Sequence, residues 1–295
     1  QSLKMITEAL YKKSQSISNY NLLSVILILT IAIFFAVLVG SGFYGYGVDY
    51  YAAYHIPNLK WGGIYDRYGY AVSTLSINGF HLGVYIVTFI LSISLGFLLR
   101  ENIRLKRTYS IIFFIFVYLI SLHTWPIIMS TSNAMRQGLT MSLIFLALIS
   151  SHRKNYFWMI IFSFVSVFMH KSGIFLSIIV LFSVFINLLF ERFSHRSKSK
   201  INFIIGIFLL ICAYFFLSNS NLYNDGKPSK IINGDFRWAF VLISIVYVSL
   251  SFFYKKLLDN PINITLYYFS IISPAILMNG LNWEYERMGM MMLIP

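Results

Sequence analysis

The stretch SNAMRQGL, residues 132–139, lies between two long apolar runs and places a guanidinium where lipid is expected. An arginine at the centre of a membrane helix costs about 3 kcal/mol. Arg136 therefore needs an anionic partner or a water-filled cavity nearby. The alternative is a side chain that reaches the headgroups from just beyond a helix end. The rest of the chain decides between these two interpretations.

Composition places the chain among membrane proteins with several spans. Hydrophobic residues make up 58% of the 295 residues and charged residues 11%, against about 25% charged in soluble domains. The mean hydropathy is +0.72. The single cysteine, Cys212, lies inside an apolar run and has no partner for an intrachain disulfide. Neither a DxD motif nor a zinc-ligand spacing occurs, so we expect no metal and no cofactor.

The apolar runs predict an all-α polytopic membrane protein with about ten or more transmembrane helices and short interfacial helices on the outer face. Residues 1–20 are predicted to form a basic cytoplasmic lead, and residues 21–295 a single transmembrane helical domain. A tenth run begins near the chain end, and nine others lie at about 21–39, 80–99, 109–128, 138–150, 156–169, 174–190, 201–217, 238–253 and 262–278. Because the chain starts at Gln1 and stops inside an apolar run, we expect trimmed ends.

The basic residues predict the orientation. Of the 23 lysines and arginines, 15 lie on the side of the N-terminus and 8 on the other side. Because cytoplasmic loops carry the basic excess, the N-terminus is predicted to be cytoplasmic. The net charge of +13 then reflects orientation, and no nucleic-acid partner is expected. The predicted periplasmic segments are about 40–79, 129–137, 170–173, 218–237 and 279–287. The first of these is too polar to span, which predicts short interfacial or re-entrant helices.

Polar residues from five connections are expected to meet at this outer face. They are Asp49, Arg136, His170, Arg237 and the group of Glu284, Glu286 and Arg287. Each adjoins the end of an apolar run, and such residues usually face a bundle interior or a cavity. Three arginines at one depth repel one another unless an anion joins them, and their planar forks suit phosphate oxygens. A site for a lipid phosphate or pyrophosphate is one interpretation, and purely structural ion pairs are the other.

These residues carry a resemblance to the EpsG-like, Wzy-type polysaccharide (O-antigen) polymerases. Residues 47–54 resemble that family's segment of glycine, aspartate and a following tyrosine, and residues 133–139 resemble its N-x-x-R-Q span start. Residues 169–172 (MHKS) resemble its F-H-x-S turn, with methionine in place of phenylalanine. Glu286-Arg287 resembles its E-R pair, and Arg237 is similar to an arginine before a late span. The resemblance covers about residues 40–295.

The resemblance implies a membrane-embedded glycosyltransferase of the bacterial inner (cytoplasmic) membrane. Undecaprenyl-pyrophosphate-linked oligosaccharide repeat units would be joined on the periplasmic face, without nucleotide sugar, metal or cofactor. The growing glycan would pass from its lipid carrier to the non-reducing-end sugar of a new unit. Membrane lipids, a flippase and a chain-length regulator are the implied partners. A flippase or transporter of lipid-linked glycan and an O-antigen ligase are the alternatives.

The reaction chemistry suggests roles for the candidate residues. Pyrophosphate leaves as an anion and needs positive charge around it, for which we name Arg136, Arg237 and Arg287. The attacking hydroxyl needs a general base, for which we name His170, Asp49 and Glu286, with His170 favoured. Each has a structural alternative. His170 could be a helix-end histidine bonded to a carbonyl, Asp49 an Asx-turn residue, and Glu286-Arg287 a salt bridge.

Overall fold

The structure is a computed structural model that describes residues 2–47, 49–56, 66–103, 105, 108–190, 195–219, 234–253 and 260–279. These residues are mostly α-helical, which confirms the predicted helical class. They form two compact units, one of Gln1–Gly63 and Arg67–Phe145, the other of Ile64–Asp66 and Leu146–Pro295. The single transmembrane domain over residues 21–295 stays a prediction.

Helix α3 (Leu82–Asn102) lies at the centre of the first unit. Its neighbours in the packing are α1 (Ser2–Gly40), α2 (Arg67–Ser73), α4 (Thr108–Leu122) and α5 (Trp125–Ser132). Gly96 allows a close approach, because a β-carbon there would lie 2.9 Å from Ile28 and 3.0 Å from Tyr118. The Tyr118 hydroxyl donates to the Ser92 carbonyl at 2.8 Å and so ties α4 to α3. The unit also contains a π-helical turn, Tyr50–Tyr54, and the start of α6 (Met135–His152).

A short β-hairpin precedes α3. Strands β1 (Ser76–Ile77) and β2 (Phe80–His81) pair antiparallel across the dipeptide Asn78-Gly79. Both turn residues have positive φ, 52° and 80°, as a type I′ turn requires, and Asn-Gly is the dipeptide that adopts this turn most readily. Short helices were predicted for this segment and are present as Tyr50–Tyr54 and α2, whereas the hairpin was not predicted.

The predicted third span is broken in the structure. Helix α4 ends at Leu122 and α5 begins at Trp125, with a bend of 59° between them. Pro126 lies in the first turn of α5, where its missing N–H costs nothing. Most of α5 is buried, although Trp125 at its start is exposed, and the Ser130 hydroxyl donates to the Pro126 carbonyl at 2.6 Å. Segment 129–137 thus contains the end of α5 and the start of α6, and its periplasmic location stays a prediction.

Helix α11 (Pro261–Asn279) lies at the centre of the second unit. It packs against α8 (Ser172–Leu189), α9 (His195–Asn219) and α10 (Gly234–Phe253), while α7 (Tyr156–Met169) packs against α8. Hydroxyl and amide groups join these helices. The Tyr268 hydroxyl donates to Asn202 Oδ1 at 2.7 Å, and the Ser183 and Thr265 hydroxyls bond each other.

By length and composition, three helices in the described residues could cross a membrane, or up to four if the bent pair is one span. They are Tyr20–Gly40, Leu82–Asn102 and Ser172–Leu189, with the bent pair Tyr109–Leu122 and Trp125–Ser132. The prediction of ten or more spans is therefore corrected. The predicted span at 156–169 folds as α7, whose 14 residues are about 21 Å long against a hydrocarbon core of about 30 Å. The predicted tenth run lies outside the described residues.

We predict that Gly173→Ala destabilises the α7–α8 hairpin by about 1–3 kcal/mol, because the added β-carbon would lie 2.3 Å from the Ser166 carbonyl oxygen. The matched control is Ser177→Ala, which removes a hydroxyl that donates to the Ser163 carbonyl at 2.8 Å and adds no atom. The control should cost about 0.6 kcal/mol, as interhelical bonds in membranes do. Thermal unfolding in detergent measures both, and an equal loss of stability would contradict the packing described.

Candidate functional site

Arg136 lies one residue inside α6, on a platform of two tyrosines. Its Nε donates to the Tyr54 hydroxyl at 3.1 Å, and its guanidinium carbon lies 3.9 Å above the centre of the Tyr70 ring. Both tyrosines are buried, with 3% and 5% of their surfaces exposed. Between Met129 and Ser142 every other residue is buried, whereas Arg136 is half-buried. The guanidinium is thus fixed in plane and position and still reaches the surface of this unit.

The contact with Tyr70 stabilises the positive charge without neutralising it. A cation over an aromatic face gains about 0.5–2 kcal/mol, more when water is excluded. Tyr54 contributes a neutral acceptor. Burial raises the pKa of the Tyr54 hydroxyl, and the Asp49 charge raises it further, while the charge and hydrogen bond of Arg136 lower it. Burial has the largest effect, so the pKa of Tyr54 is raised and the residue stays a phenol at neutral pH.

Asp49 is held at the same site through its backbone. Its N–H donates to Asn133 Oδ1 at 2.8 Å, across 84 positions of sequence. Asp49 directly precedes the π-helical turn, and its carboxylate does not cap that turn. The structure therefore brings together two sequence-predicted site residues, Asp49 and Arg136, around Tyr54. A carboxylate and an arginine in one half-buried site can hold a neutral or anionic polar ligand and can accept a proton from it.

The other predicted site residues are not part of this arrangement as described. His170 belongs to the second compact unit. The backbone of Arg237 lies in α10, and its side chain is outside the described part of the structure. Glu286 and Arg287 also lie outside the described residues. The convergence of three arginines on one anion stays a prediction.

His170 forms a local motif at the turn between α7 and α8. It is buried, with 4% of its surface exposed. Its Nδ1 accepts the Ser172 backbone N–H at 3.2 Å and lies 2.8 Å from the Ser172 hydroxyl. Because a backbone N–H can only donate, Nδ1 carries the lone pair and the neutral ring carries its proton on Nε2. In this geometry the lone pair of the neutral imidazole faces Ser172.

Sequence reasoning missed three residues of the site: Tyr54, Tyr70 and Asn133. Tyr54 and Asn133 stand inside the motifs that carry the family resemblance, so a signal existed but no role was assigned. Tyr70 is one of 21 tyrosines and has no distinguishing neighbour in the sequence. No group of three or more metal-ligating side chains lies together among the described residues. The prediction of metal-free chemistry is untested.

No protein-family model, no curated protein and no solved structure matches the chain. The resemblance to polysaccharide polymerases therefore rests on the quoted motifs, and the family assignment stays a prediction.

We predict a coupling of about 1–2 kcal/mol between Arg136 and Tyr70, because the ring stabilises a cation away from bulk water. A double-mutant cycle of Arg136→Met and Tyr70→Leu, followed by thermal unfolding in detergent, measures it. Tyr70→Phe is the matched control, since it keeps the ring face and should retain most of the coupling. Additive effects of the two substitutions would show that the ring does not hold the guanidinium.

We also predict that neutral His170 has its proton on Nε2. Nitrogen NMR of histidine-labelled protein distinguishes the two ring nitrogens, and the His170→Gln variant assigns the signal among the six histidines. Replacing Ser172 by proline removes the donating N–H and should shift the equilibrium toward the Nδ1–H form, whereas Ser172→Ala should leave the Nε2–H form dominant. An Nδ1–H ring in the unmodified protein would contradict the geometry.

Proposed function

We propose that the protein polymerises undecaprenyl-pyrophosphate-linked oligosaccharide repeat units at the periplasmic face of the bacterial inner membrane. The growing glycan passes from its lipid carrier to the non-reducing-end sugar of a new unit. The observation that carries this proposal is Arg136, held on the Tyr54–Tyr70 platform at a half-buried position in a chain with candidate membrane spans. The motif resemblance supports the reaction class.

The leaving group explains why a fixed arginine matters. When the glycosidic carbon is attacked, its bond to the pyrophosphate oxygen breaks and the electron pair goes to the pyrophosphate. A preorganised guanidinium stabilises that charge best where water is scarce, because nothing has to reorient during the reaction. Tyr54 and Tyr70 supply this preorganisation for Arg136. Arg237 and Arg287 are proposed to share the same anion.

The attacking hydroxyl loses its proton in the same step. In the proposed mechanism the new bond forms between that oxygen and the anomeric carbon, and the proton passes to a carboxylate. Asp49 is our first choice, since its backbone is fixed in the same unit as Arg136. Glu286 is the second. His170, favoured from the sequence, stays the third candidate for the base. No metal ion is needed for this balance of charge and protons.

We predict that Arg136→Ala lowers polymerisation at least about 100-fold, the usual cost of removing one preorganised donor. In cells that depend on this gene, surface glycan should then stop at a single repeat while the acceptor core is still decorated. Arg136→Lys should be intermediate, because an ammonium keeps the charge and loses the planar fork. Gel ladders of surface glycan give the readout.

Arg100→Ala is the matched control. Like Arg136, Arg100 lies at a helix end and makes a hydrogen bond and a ring contact. Its Nη2 donates to Asn21 Oδ1 at 3.3 Å, and its guanidinium carbon lies 6.0 Å from the centre of the Phe97 ring. Long chains in this control and single repeats in Arg136→Ala support the proposal. Long chains in Arg136→Ala would overturn it, and loss of all decoration would point to a ligase or a flippase. Purified protein with lipid-linked repeat units should give ladders in EDTA, and inhibition by EDTA would contradict metal-free transfer.

A further inference from the structure

Asn133 occupies the non-helical break between α5 and α6, with φ −128° and ψ −56°. Its backbone N–H closes α5 by donating to the Met129 carbonyl at 3.0 Å. The side chain is buried, with 8% of its surface exposed, and its Oδ1 accepts the distant Asp49 N–H. An asparagine that only ended the helix would direct this oxygen to its own helix. At this break the Asn133 side chain instead contacts Asp49, which is distant in sequence.

The loop before Asp49 is shaped to fit against this asparagine. A β-carbon on Gly47 would lie 2.2 Å from Asn133 Cγ and 2.3 Å from Oδ1, so only glycine allows the approach. The Gly47 N–H also donates to the Ser132 carbonyl, at 3.4 Å. The loop and the α5–α6 break are thus in contact through both backbone and side chain, and the contact excludes any larger residue at position 47.

The residues after Gly47 connect this first contact to a second one, between Tyr54 and Arg136. The Tyr50 N–H donates to the Gly47 carbonyl at 3.0 Å, and the His55 N–H donates to the Tyr50 carbonyl at 2.8 Å. These bonds link Gly47 to residues 49–55, and the linked stretch is called segment 47–55. The segment is tied to the chain around the break at two points, Asp49 to Asn133 and Tyr54 to Arg136. A displacement at the first point must be transmitted to the second.

We propose that Asn133 is a positioning residue for Arg136. By holding the Asp49 N–H it fixes segment 47–55, and the segment in turn fixes the Tyr54 hydroxyl that orients the guanidinium over Tyr70. Asn133 itself need not touch the substrate. The placement of Arg136 stands independently of the enzymatic activity, whereas the consequence for glycan transfer rests on the proposed function.

The test uses the full chain in lipid nanodiscs and follows Arg136 directly. The Tyr70 ring shifts the nuclear resonances of a guanidinium that lies 3.9 Å above it, and the Arg136→Lys variant assigns the signal. In Asn133→Ala we expect this signal to move toward that of an exposed arginine. Hydrogen exchange of peptides covering residues 44–56 should rise about tenfold, because the Asp49 N–H loses its acceptor.

Two further variants control this experiment. Gly47→Ala displaces the loop from the opposite side of the contact and should move the Arg136 signal in the same way, so the test survives if Asn133→Ala fails to fold. Ser94→Ala is the negative control, since this buried serine bonds the Leu91 carbonyl within α3. It should change neither the signal nor the exchange. An unmoved Arg136 signal in folded Asn133→Ala or in folded Gly47→Ala would overturn the proposal.

Glycan ladders recorded on the same variants separate the two proposals. A moved Arg136 signal together with shortened ladders supports both. A moved signal with normal ladders supports the positioning role and counts against the proposed function. Shortened ladders with an unmoved signal would overturn the positioning role and leave the function in place.

Discussion

The first unit depends on how a guanidinium is accommodated among buried residues. An arginine in such surroundings needs acceptors and polarizable surface close by, or the structure would expel it. Tyr54 supplies an acceptor to the Arg136 guanidinium, and Tyr70 supplies an aromatic face. These two neutral aromatic partners hold the Arg136 side chain in place.

Close backbone approach is the second constraint, and it governs both units. Without water, apolar side chains gain little by leaving lipid for one another, so helices in membranes associate through fitting surfaces and hydrogen bonds. Gly138 and Gly173 each bring a helix so near a neighbouring carbonyl that a β-carbon would lie 2.3 Å from it. Serine hydroxyls then bond carbonyl oxygens at or near those contacts. The polar residues of the apolar helices are thus part of the packing.

Much of the helical class and part of the site were predictable from sequence, because both follow from local composition. Arg136 was conspicuous as a charge beside apolar residues, whereas the break at the start of α5 was not predicted. The number of spans was not predictable, because an apolar run has the same composition whether it faces lipid or other helices. Tyr70 could not be found, since its role depends on a contact between distant residues. The orientation of the His170 ring depends on one backbone N–H, which no residue pattern reveals.

The hairpin before α3 has a consequence for the chemical lifetime of the protein. An asparagine followed by glycine is the dipeptide most prone to cyclise to a succinimide and reopen as isoaspartate, and Asn78 is exposed. Isoaspartate routes the backbone through the former side chain and lengthens it by one carbon. A two-residue turn cannot accommodate the extra backbone atom without a change in strand pairing. His81, whose Nε2 lies 2.7 Å from the His55 carbonyl oxygen, follows two residues after Gly79. Conversion of Asn78 to isoaspartate during storage would therefore disturb the start of α3, the central helix of the first unit.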